Sequence, residues 1–494
     1  MIFVYLEGHD FRYEVNELLK VFYFNASIKF IENKAFTDEN IYLIVSSLSN
    51  TENGTYVSTV IYKGKEIISR DTIEDISKID IKENNKGKIT KLAVKQSIYN
   101  ALSKISSIKV PWGVLTGIRP TKIIHDLLGK DVGVKQIKNI LTKEYKLHES
   151  KANLTLDIAL AEKRIIDTVD YNKFSLYVNI PFCPTRCLYC SFLSNPISKY
   201  EGLVDSYTDK LIYEIHKTKD LLKDRTIDTV YIGGGTPTSL PVKNLDKIIK
   251  CIYEAFNKND IREITVEAGR PDTINKDMLL MLHDNGIKRI SINPQTMCEK
   301  TLSLIGRDHT PQDIIDAFKL AKDIGFETIN MDIIVGLPEE GPEEVRATMN
   351  ELINLNPENL TVHTMAIKRA SRLKENLDEY SLTTQNTIEE MLSITRQYAE
   401  SMDMHPYYMY RQKQILGNFE NVGYSKPGKE CIYNILIMEE KQTIIAVGAG
   451  GITKIYYPNE NRIERVPNVK DLREFIDRVE EMVQRKENYI KTLT

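Results

Sequence analysis

From residue 173 onward the chain repeats a short apolar run followed by an amphipathic stretch. Between the first two runs, Val204, Tyr207, Leu211 and Ile215 recur at helical spacing. Six βα units in succession predict a parallel sheet with right-handed crossovers, curved into an open or partial barrel. Ligands bind such barrels at the carboxyl ends of the strands. The six strand-like runs are SLYVNIP, TVYIGGG, EITVEAG, RISINPQ, TINMDIIVG and LTVHTMAI.

The pattern divides the rest of this α/β chain into three further parts. Residues 1–88 alternate β-type runs with polar turns, which predicts a small α+β domain of unknown role. Residues 89–172 are helical and charged in pattern and predict a helical connector. The barrel then spans 173–375. The C-terminal region, 376–494, is predicted to hold a helix, a Tyr-rich loop, a hairpin around Ile435 and Ile444, and a final charged helix.

Composition narrows the functional classes. The formal net charge is −3 over 494 residues, so a strong bulk attraction to nucleic acid or to an anionic membrane is not indicated. Charged residues interrupt the N-terminal stretch where a signal peptide needs an apolar run, and no run approaches the ~18 residues that span a bilayer. We therefore expect a cytoplasmic protein without membrane insertion.

Three cysteines form the strongest motif of the sequence. Cys183, Cys187 and Cys190 follow the first predicted strand, and their spacing lets one short loop place three thiolates around a 4Fe–4S cluster. Such a loop leaves the fourth iron open for chemistry. A zinc loop is the alternative, but zinc motifs usually pair two CxxC segments and the sequence has no second pair.

The other three cysteines have an ordinary interpretation. Cys251 lies in a predicted helix, Cys298 begins one, and Cys431 lies in the C-terminal region. Free cysteines are often buried as small apolar residues. We predict that these are structural thiols.

The context YxxIPFCxxxCxYC, which begins at Tyr177, resembles the radical S-adenosylmethionine (SAM) superfamily. More narrowly, the chain resembles the oxygen-independent coproporphyrinogen III oxidases (dehydrogenases), in the branch with an N-terminal extension. The resemblance covers roughly residues 173–455. It implies a radical SAM partial (β/α)6 barrel, a 4Fe–4S cluster on Cys183, Cys187 and Cys190, and SAM bound at the open iron.

The resemblance also implies a SAM site at the strand ends. The GGGTPT motif matches the segment that holds the methionine end of SAM, and glycines let a backbone approach a ligand closely. An aspartate such as Asp332, inside an apolar strand, would be costly without a partner. The matching positions are Tyr177, Tyr189, Gly234, Gly235, Thr236, Glu267, Gln295, Arg307 and Asp332.

Two positions depart from the oxidase branch. Asn179 stands where that branch usually has histidine, and Phe192 stands where it has another cysteine. With Phe192 at this position, the motif is similar instead to that of a sister branch of haem chaperones. By contrast, the segment PWGVLTGIRPTKI favours the oxidase interpretation, because it is similar to a segment of the branch assigned to coproporphyrinogen dehydrogenation.

The implied reaction converts two propionates of coproporphyrinogen III to vinyls, which yields protoporphyrinogen IX in haem biosynthesis. Residues 376–494 would cover the substrate. Its carboxylates call for cations, because arginine binds carboxylate in a bidentate manner, and the candidates are Arg369, Arg372 and Arg411. The expected partners are a tetrapyrrole and an electron donor such as flavodoxin or ferredoxin. A monomer is expected.

Two other functions remain open. The first is a haem chaperone that binds haem without decarboxylation, which Asn179 and Phe192 favour. The second is a radical SAM enzyme that modifies RNA, with the N-terminal extension as its RNA-binding part. The near-neutral charge and the lack of a second cluster motif weigh against it.

Overall fold

A computed structural model gives the fold, in two compact units that comprise residues 1–159 and 160–494. The described residues are 1–23, 26–33, 41–52, 54–192, 194–222, 225–367, 371–375, 383–412 and 418–492.

The first unit is built on a five-stranded mixed sheet with strand order β2-β1-β3-β4-β5. Its long helix α2 packs on β4 and β5, where the Ser97 hydroxyl donates to the Thr59 hydroxyl over 2.9 Å. The strands are β1 (Ile2–Glu7), β2 (Ile28–Ile31), β3 (Tyr42–Thr51), β4 (Gly54–Lys63) and β5 (Glu66–Ile73). The helices are α1 (Arg12–Phe22), α2 (Lys86–Ser103), α3 (Thr121–Leu128), α4 (Val134–Lys143) and α5 (Glu149–Ile166), the last of which runs on into the second unit.

The second unit is built on an eleven-stranded sheet with order β14-β15-β13-β12-β11-β10-β9-β6-β16-β17-β18. The six predicted strands lie side by side and parallel in its middle, which confirms the six βα units. The strands of this sheet are β6 (Lys173–Ile180), β9 (Thr226–Gly234), β10 (Glu263–Glu267), β11 (Arg289–Ser291), β12 (Thr328–Val335), β13 (Asn359–Thr364), β14 (His405–Tyr410), β15 (Asn421–Ser425), β16 (Thr443–Val447), β17 (Ile452–Tyr457) and β18 (Arg462–Pro467). Two short strands, β7 (Phe182–Cys183) and β8 (Asn195–Pro196), pair with each other in a separate sheet.

The helices of this unit begin and end at local signals. Helix α11 shows both ends: Thr310 and Asp313 form a capping box, Pro311 takes the first helical position, and Gly325 closes the helix at φ +108°. No helix in the described ranges is long and apolar enough to cross a bilayer. The helices are α6 (Ile197–Tyr200), α7 (Val204–Leu221), α8 (Val242–Ala255), α9 (Lys276–Asp284), α10 (Glu299–Leu304), α11 (Pro311–Ile324), α12 (Pro342–Leu355), α13 (Arg372–Glu375), α14 (Gln385–Ser401), α15 (Ile432–Glu439), α16 (Leu472–Asp477) and α17 (Val479–Ile490).

One prediction for the C-terminal region is wrong and another is half right. The Tyr-rich segment is not a loop but strand β14. Of the predicted hairpin, Ile444 pairs antiparallel with Lys454 between β16 and β17, whereas Ile435 lies in helix α15. The carboxylate of Glu263, distant in sequence, accepts the backbone N–H groups of Ile432 and Tyr433 and so caps α15. A cap supplied by another strand leaves no local sequence signal, and a short apolar run does not distinguish helix from strand.

A buried ion pair joins the C-terminal helix to the barrel. Lys486 of α17 donates to the carboxylate of Glu214 on α7, and neither side chain is exposed. Glu214 also accepts the backbone N–H of Gly448 over 2.6 Å and the Asn468 amide over 2.7 Å. The pair therefore fixes the turn at Gly448, directly after β16 and beside β6.

We predict that Lys486→Met lowers the free energy of unfolding by about 3–5 kcal/mol, because it leaves the Glu214 charge buried without its partner. Chemical denaturation followed by circular dichroism measures this change. The control is Lys491→Met. Lys491 lies one residue past the end of α17 and forms an exposed ion pair with Glu487, so its loss should lower the free energy of unfolding by less than about 1 kcal/mol. Equal effects of the two substitutions would contradict the prediction.

Candidate functional site

A cavity of about 440 Å³ opens at the carboxyl ends of the parallel strands. Eleven of the twelve residues predicted for the cluster and SAM line it; the twelfth, Tyr177, stacks on the cavity-lining Tyr231 at 6.2 Å. The predicted residues in its wall are Cys183, Cys187, Cys190, Tyr189, Gly234, Gly235, Thr236, Glu267, Gln295, Arg307 and Asp332.

The three cysteines lie on one loop at the floor of the cavity. Cys183 ends the short strand β7, and the Cys190 N–H donates to the Cys187 carbonyl over 3.2 Å, which closes the loop. All three are free thiols. Burial raises the pKa of Cys183 and raises that of Cys190 to about 11. An iron–sulfur cluster would bind these groups as thiolates and displace their protons.

The GGGTPT segment passes unusually close to this loop. Gly234 has φ +113°, and a Cβ atom on Gly235 would lie 2.4 Å from the Phe182 carbonyl oxygen and 2.9 Å from Cys183 Sγ. The Thr236 N–H donates to the same Phe182 carbonyl over 2.7 Å. Glycine is required here because two backbones meet beside a cysteine.

Glu267 ends β10 and faces a phenol. The Tyr231 hydroxyl donates to Glu267 Oε1 over 2.6 Å. Burial, and then the nearby carboxylate of Asp332, raise the pKa of Glu267 to about 7. The site therefore holds a carboxyl that changes charge near neutral pH.

Asp332 is not left without partners in its strand. Asn330 Nδ2 donates to Asp332 Oδ1 over 2.7 Å, and His363 Nε2 lies 3.6 Å from Asp332 Oδ2. Although burial opposes the charge, these neighbours hold the pKa of Asp332 below its ordinary value. The other ring nitrogen of His363 lies 3.1 Å from the Tyr410 hydroxyl. Sequence analysis did not identify His363 as a site residue. Its position on the sixth predicted strand was the signal that could have identified it.

Gln295 lies in a strained turn. Its φ is +67°, and its backbone joins β12 at two points: its N–H donates to the Asp332 carbonyl and its carbonyl accepts from Ile334, both over 2.9 Å. A non-glycine residue in the left-handed region costs free energy and is frequent at ligand sites. From this turn Gln295 lines the cavity.

The predicted substrate cations do not meet in the cavity. Arg369 lies outside the described residues, and Arg372 is exposed at the start of α13. Arg411 is buried, which lowers its pKa to about 10, and it donates to the Asn418 carbonyl over 2.8 Å. Among the described cavity-lining residues neither Arg372 nor Arg411 is present.

Two other arginines line the cavity and were missed. Arg270 binds Asp272 with two nitrogens at 2.9 and 2.8 Å. Arg289, the first residue of β11, pairs with Glu263 at 3.4 Å and donates to the Asn359 side chain over 2.7 Å. For Arg289, the available sequence signal was a charged residue at the start of a predicted strand.

The two departures from the oxidase pattern occupy different surroundings. Asn179 is buried; it accepts from the Tyr177 hydroxyl over 3.2 Å and donates to the Ala449 carbonyl. It therefore ties β6 to the turn after β16. Phe192 lines the cavity with 72% of its surface exposed. Of Asn179 and Phe192, only Phe192 is among the described residues that line the cavity.

Comparisons with known proteins agree with this geometry. Residues 177–352 match the radical SAM superfamily. The chain is 43% identical over 325 residues to the oxygen-independent coproporphyrinogen-III oxidase-like protein HemZ of Bacillus subtilis, which covers 65% of this chain and 65% of that relative, just under two thirds of its length. It is 29% identical over 279 residues to the heme chaperone HemW of the same organism, covering 56% of this chain and 69% of HemW.

Among solved structures, the coproporphyrinogen III oxidase HemN of Escherichia coli has a similar fold. The TM-score is 0.51 at 23% identity, over 66% of this chain and 73% of HemN. At this identity the likeness concerns the fold alone.

We predict a pH-dependent effect of Glu267→Gln on stability. The folded protein binds the Glu267 proton more tightly than the unfolded chain, since its pKa is about 7 against an ordinary 4.5. Wild-type stability therefore falls relative to the variant as pH rises from 4.5 to 7. Denaturation of both proteins at several pH values measures the difference. A difference that does not change with pH would contradict the assigned pKa shift.

We also predict that Gly235→Ala reduces the iron and sulfide retained after anaerobic reconstitution, because the added methyl group overlaps the Phe182 carbonyl and Cys183. The control is Gly202→Ala, where no atom lies within 4 Å of the added carbon. Full cluster retention in the Gly235 variant would show that the close approach is not needed.

Proposed function

The chain carries a radical SAM domain, which uses a 4Fe–4S cluster and S-adenosylmethionine, and on that premise we propose that it oxidatively decarboxylates coproporphyrinogen III to protoporphyrinogen IX. The observation that supports the proposal is the convergence of three cysteines and the SAM-type positions in one cavity, in a chain similar to HemZ. The substrate itself is inferred from that similarity.

The donor set fits the cluster. Cys183, Cys187 and Cys190 are free thiols that line the cavity, and they would hold a cluster there as its three protein ligands. Arg307 Nε and Asn293 Oδ1 are buried in the same wall without a hydrogen-bond partner in the described part of the chain. Unpaired buried polar atoms indicate a ligand that completes them.

When bound, the cluster and SAM supply a deoxyadenosyl radical that removes a hydrogen atom from the substrate. The residues of this chain bind and orient the reactants. We assign the methionine end of SAM to the backbone of Gly234, Gly235 and Thr236. Glu267 and Asp332 present carboxylates for hydroxyl or amino groups of the same ligand.

The far wall of the cavity suits a large apolar ring. Tyr407, Tyr408 and Tyr410 line it together with Met438 and Cys431. Burial raises the pKa of Tyr407 and Tyr408, so these phenols stay neutral. Neutral aromatic side chains exclude water from a radical intermediate and pack against a macrocycle.

The proposal extends to partners and location. We propose that a small redox protein such as flavodoxin or ferredoxin reduces the cluster, and that the protein acts as a cytoplasmic monomer. Residues 376–494 would cover the substrate. Of the predicted substrate cations, we propose that Arg369 and the exposed Arg372 bind the tetrapyrrole carboxylates from outside the described cavity wall. Arg411 is buried and donates to the Asn418 carbonyl instead.

A haem chaperone is the second candidate, and Phe192 favours it. This apolar, exposed side chain stands at the cavity where the oxidase branch has cysteine, and HemW proteins are among the relatives. The two functions differ in turnover. A chaperone binds haem and forms no vinyl product.

We predict that the anaerobically reconstituted and reduced protein, given SAM and coproporphyrinogen III, forms both 5′-deoxyadenosine and protoporphyrinogen IX, measured by chromatography. Cys187→Ala should abolish both products, because it removes a cluster ligand. Cys251→Ala is the matched control, since this buried thiol lies on α8 outside the cavity, and it should keep both.

The alternative outcomes separate the candidates. Deoxyadenosine without a porphyrin product would reject coproporphyrinogen as the substrate and keep the radical SAM assignment. Stoichiometric haem binding without either product would instead select the chaperone.

A further inference from the structure

The segment that carries Arg307 is fixed directly to the cysteine loop. The Leu188 N–H donates to the Ile305 carbonyl over 3.0 Å, and the Thr185 hydroxyl donates to the Gly306 carbonyl over 3.1 Å. Gly306 has φ +75°, which turns the chain so that the next residue enters the cavity. The position of Arg307 is therefore coupled to the loop by two hydrogen bonds from either side of Cys187.

The Arg307 guanidinium is buried against Cys187. Arg307 is 6% exposed, lies beside Tyr189 and Cys187, and donates from Nη1 to the Asn293 carbonyl over 2.5 Å. The guanidinium carries a positive charge, because arginine is not deprotonated in proteins.

No carboxylate of the described residues forms an ion pair with this charge. Asp272, which lies in the same region, is engaged by Arg270 at 2.8 Å. By contrast, Arg289, which also lines the cavity, is compensated by Glu263. Arg307 is therefore a buried cation beside Cys187, which would be an anionic thiolate as a cluster ligand.

Such a cation acts on the cluster electrostatically. Three thiolates make a 4Fe–4S group negative, and one-electron reduction adds a further negative charge. A buried positive charge beside a ligand stabilises the more negative state more, because charges interact strongly away from water. Charge and hydrogen bonds to the cluster sulfurs are known to set its potential.

We propose that Arg307 is a positioning residue that acts through Cys187 to raise the reduction potential of the cluster. This role is separate from the contact with SAM implied by the family resemblance, and it rests on the cluster assignment in the proposed function. It requires no particular substrate.

The test is a redox titration of the reconstituted holoenzyme followed by electron paramagnetic resonance, without SAM and then with SAM. Iron and sulfide content are measured first in every variant. Arg307→Gln should shift the midpoint potential to a more negative value in both conditions, and Arg307→Lys should keep most of the wild-type potential. If Arg307→Gln does not retain its cluster, Arg307→Met removes the same charge with a different side chain.

Arg396→Gln is the control, because it removes a partly exposed arginine of α14 that is not among the described cavity-lining residues, and its potential should match that of the wild type. An unshifted potential in the charge-removing Arg307 variants would overturn the proposal. A shift seen only with SAM would also overturn it, and would assign Arg307 to SAM alone. A wild-type protein that binds no cluster would instead reject the cluster assignment in the proposed function. The experiment therefore distinguishes failure of the cluster assignment from failure of the Arg307 proposal.

Discussion

The site depends on the close approach of two backbone segments, the cysteine loop after β6 and the glycine segment after β9. The Gly235 N–H donates to the Ile180 carbonyl over 2.8 Å, and the space beside Gly235 has no room for a side chain. Because the segments are parallel neighbours, their carboxyl ends emerge at the same edge of the sheet. This contact places the three thiols and the glycine turn in the wall of one cavity.

The buried charges are distributed in a way that suits this geometry. Arg289 and Glu263 neutralise one another, and Glu263 also caps α15, so this part of the cavity wall is effectively neutral. Beside the cysteines, Arg307 remains a cation without a carboxylate among the described residues. The electrostatic asymmetry favours negative charge where the thiolates lie, since a buried cation is costly without an anion.

The C-terminal part of the chain holds the carboxyl end of β6, next to the cysteine loop, in place. Asn179, at the end of β6, bonds to the turn after β16, and Glu214 and Lys486 hold that turn from α7 and α17. A position where the oxidase branch has histidine is therefore used here for a packing contact between strands. The residue that presents an imidazole to the cavity is His363, on a different strand.

The sequence by itself determined the six βα units and eleven of the lining residues, because apolar runs, glycines and cysteines at strand ends are local signals that parallel topology converts into one site. Tertiary structure alone decided the rest. Arg411 is turned away from the cavity and Arg289 into it, and α15 is helical because Glu263 caps it from a distant strand. Side-chain direction and long-range caps depend on which strands become neighbours, and no local pattern records that pairing.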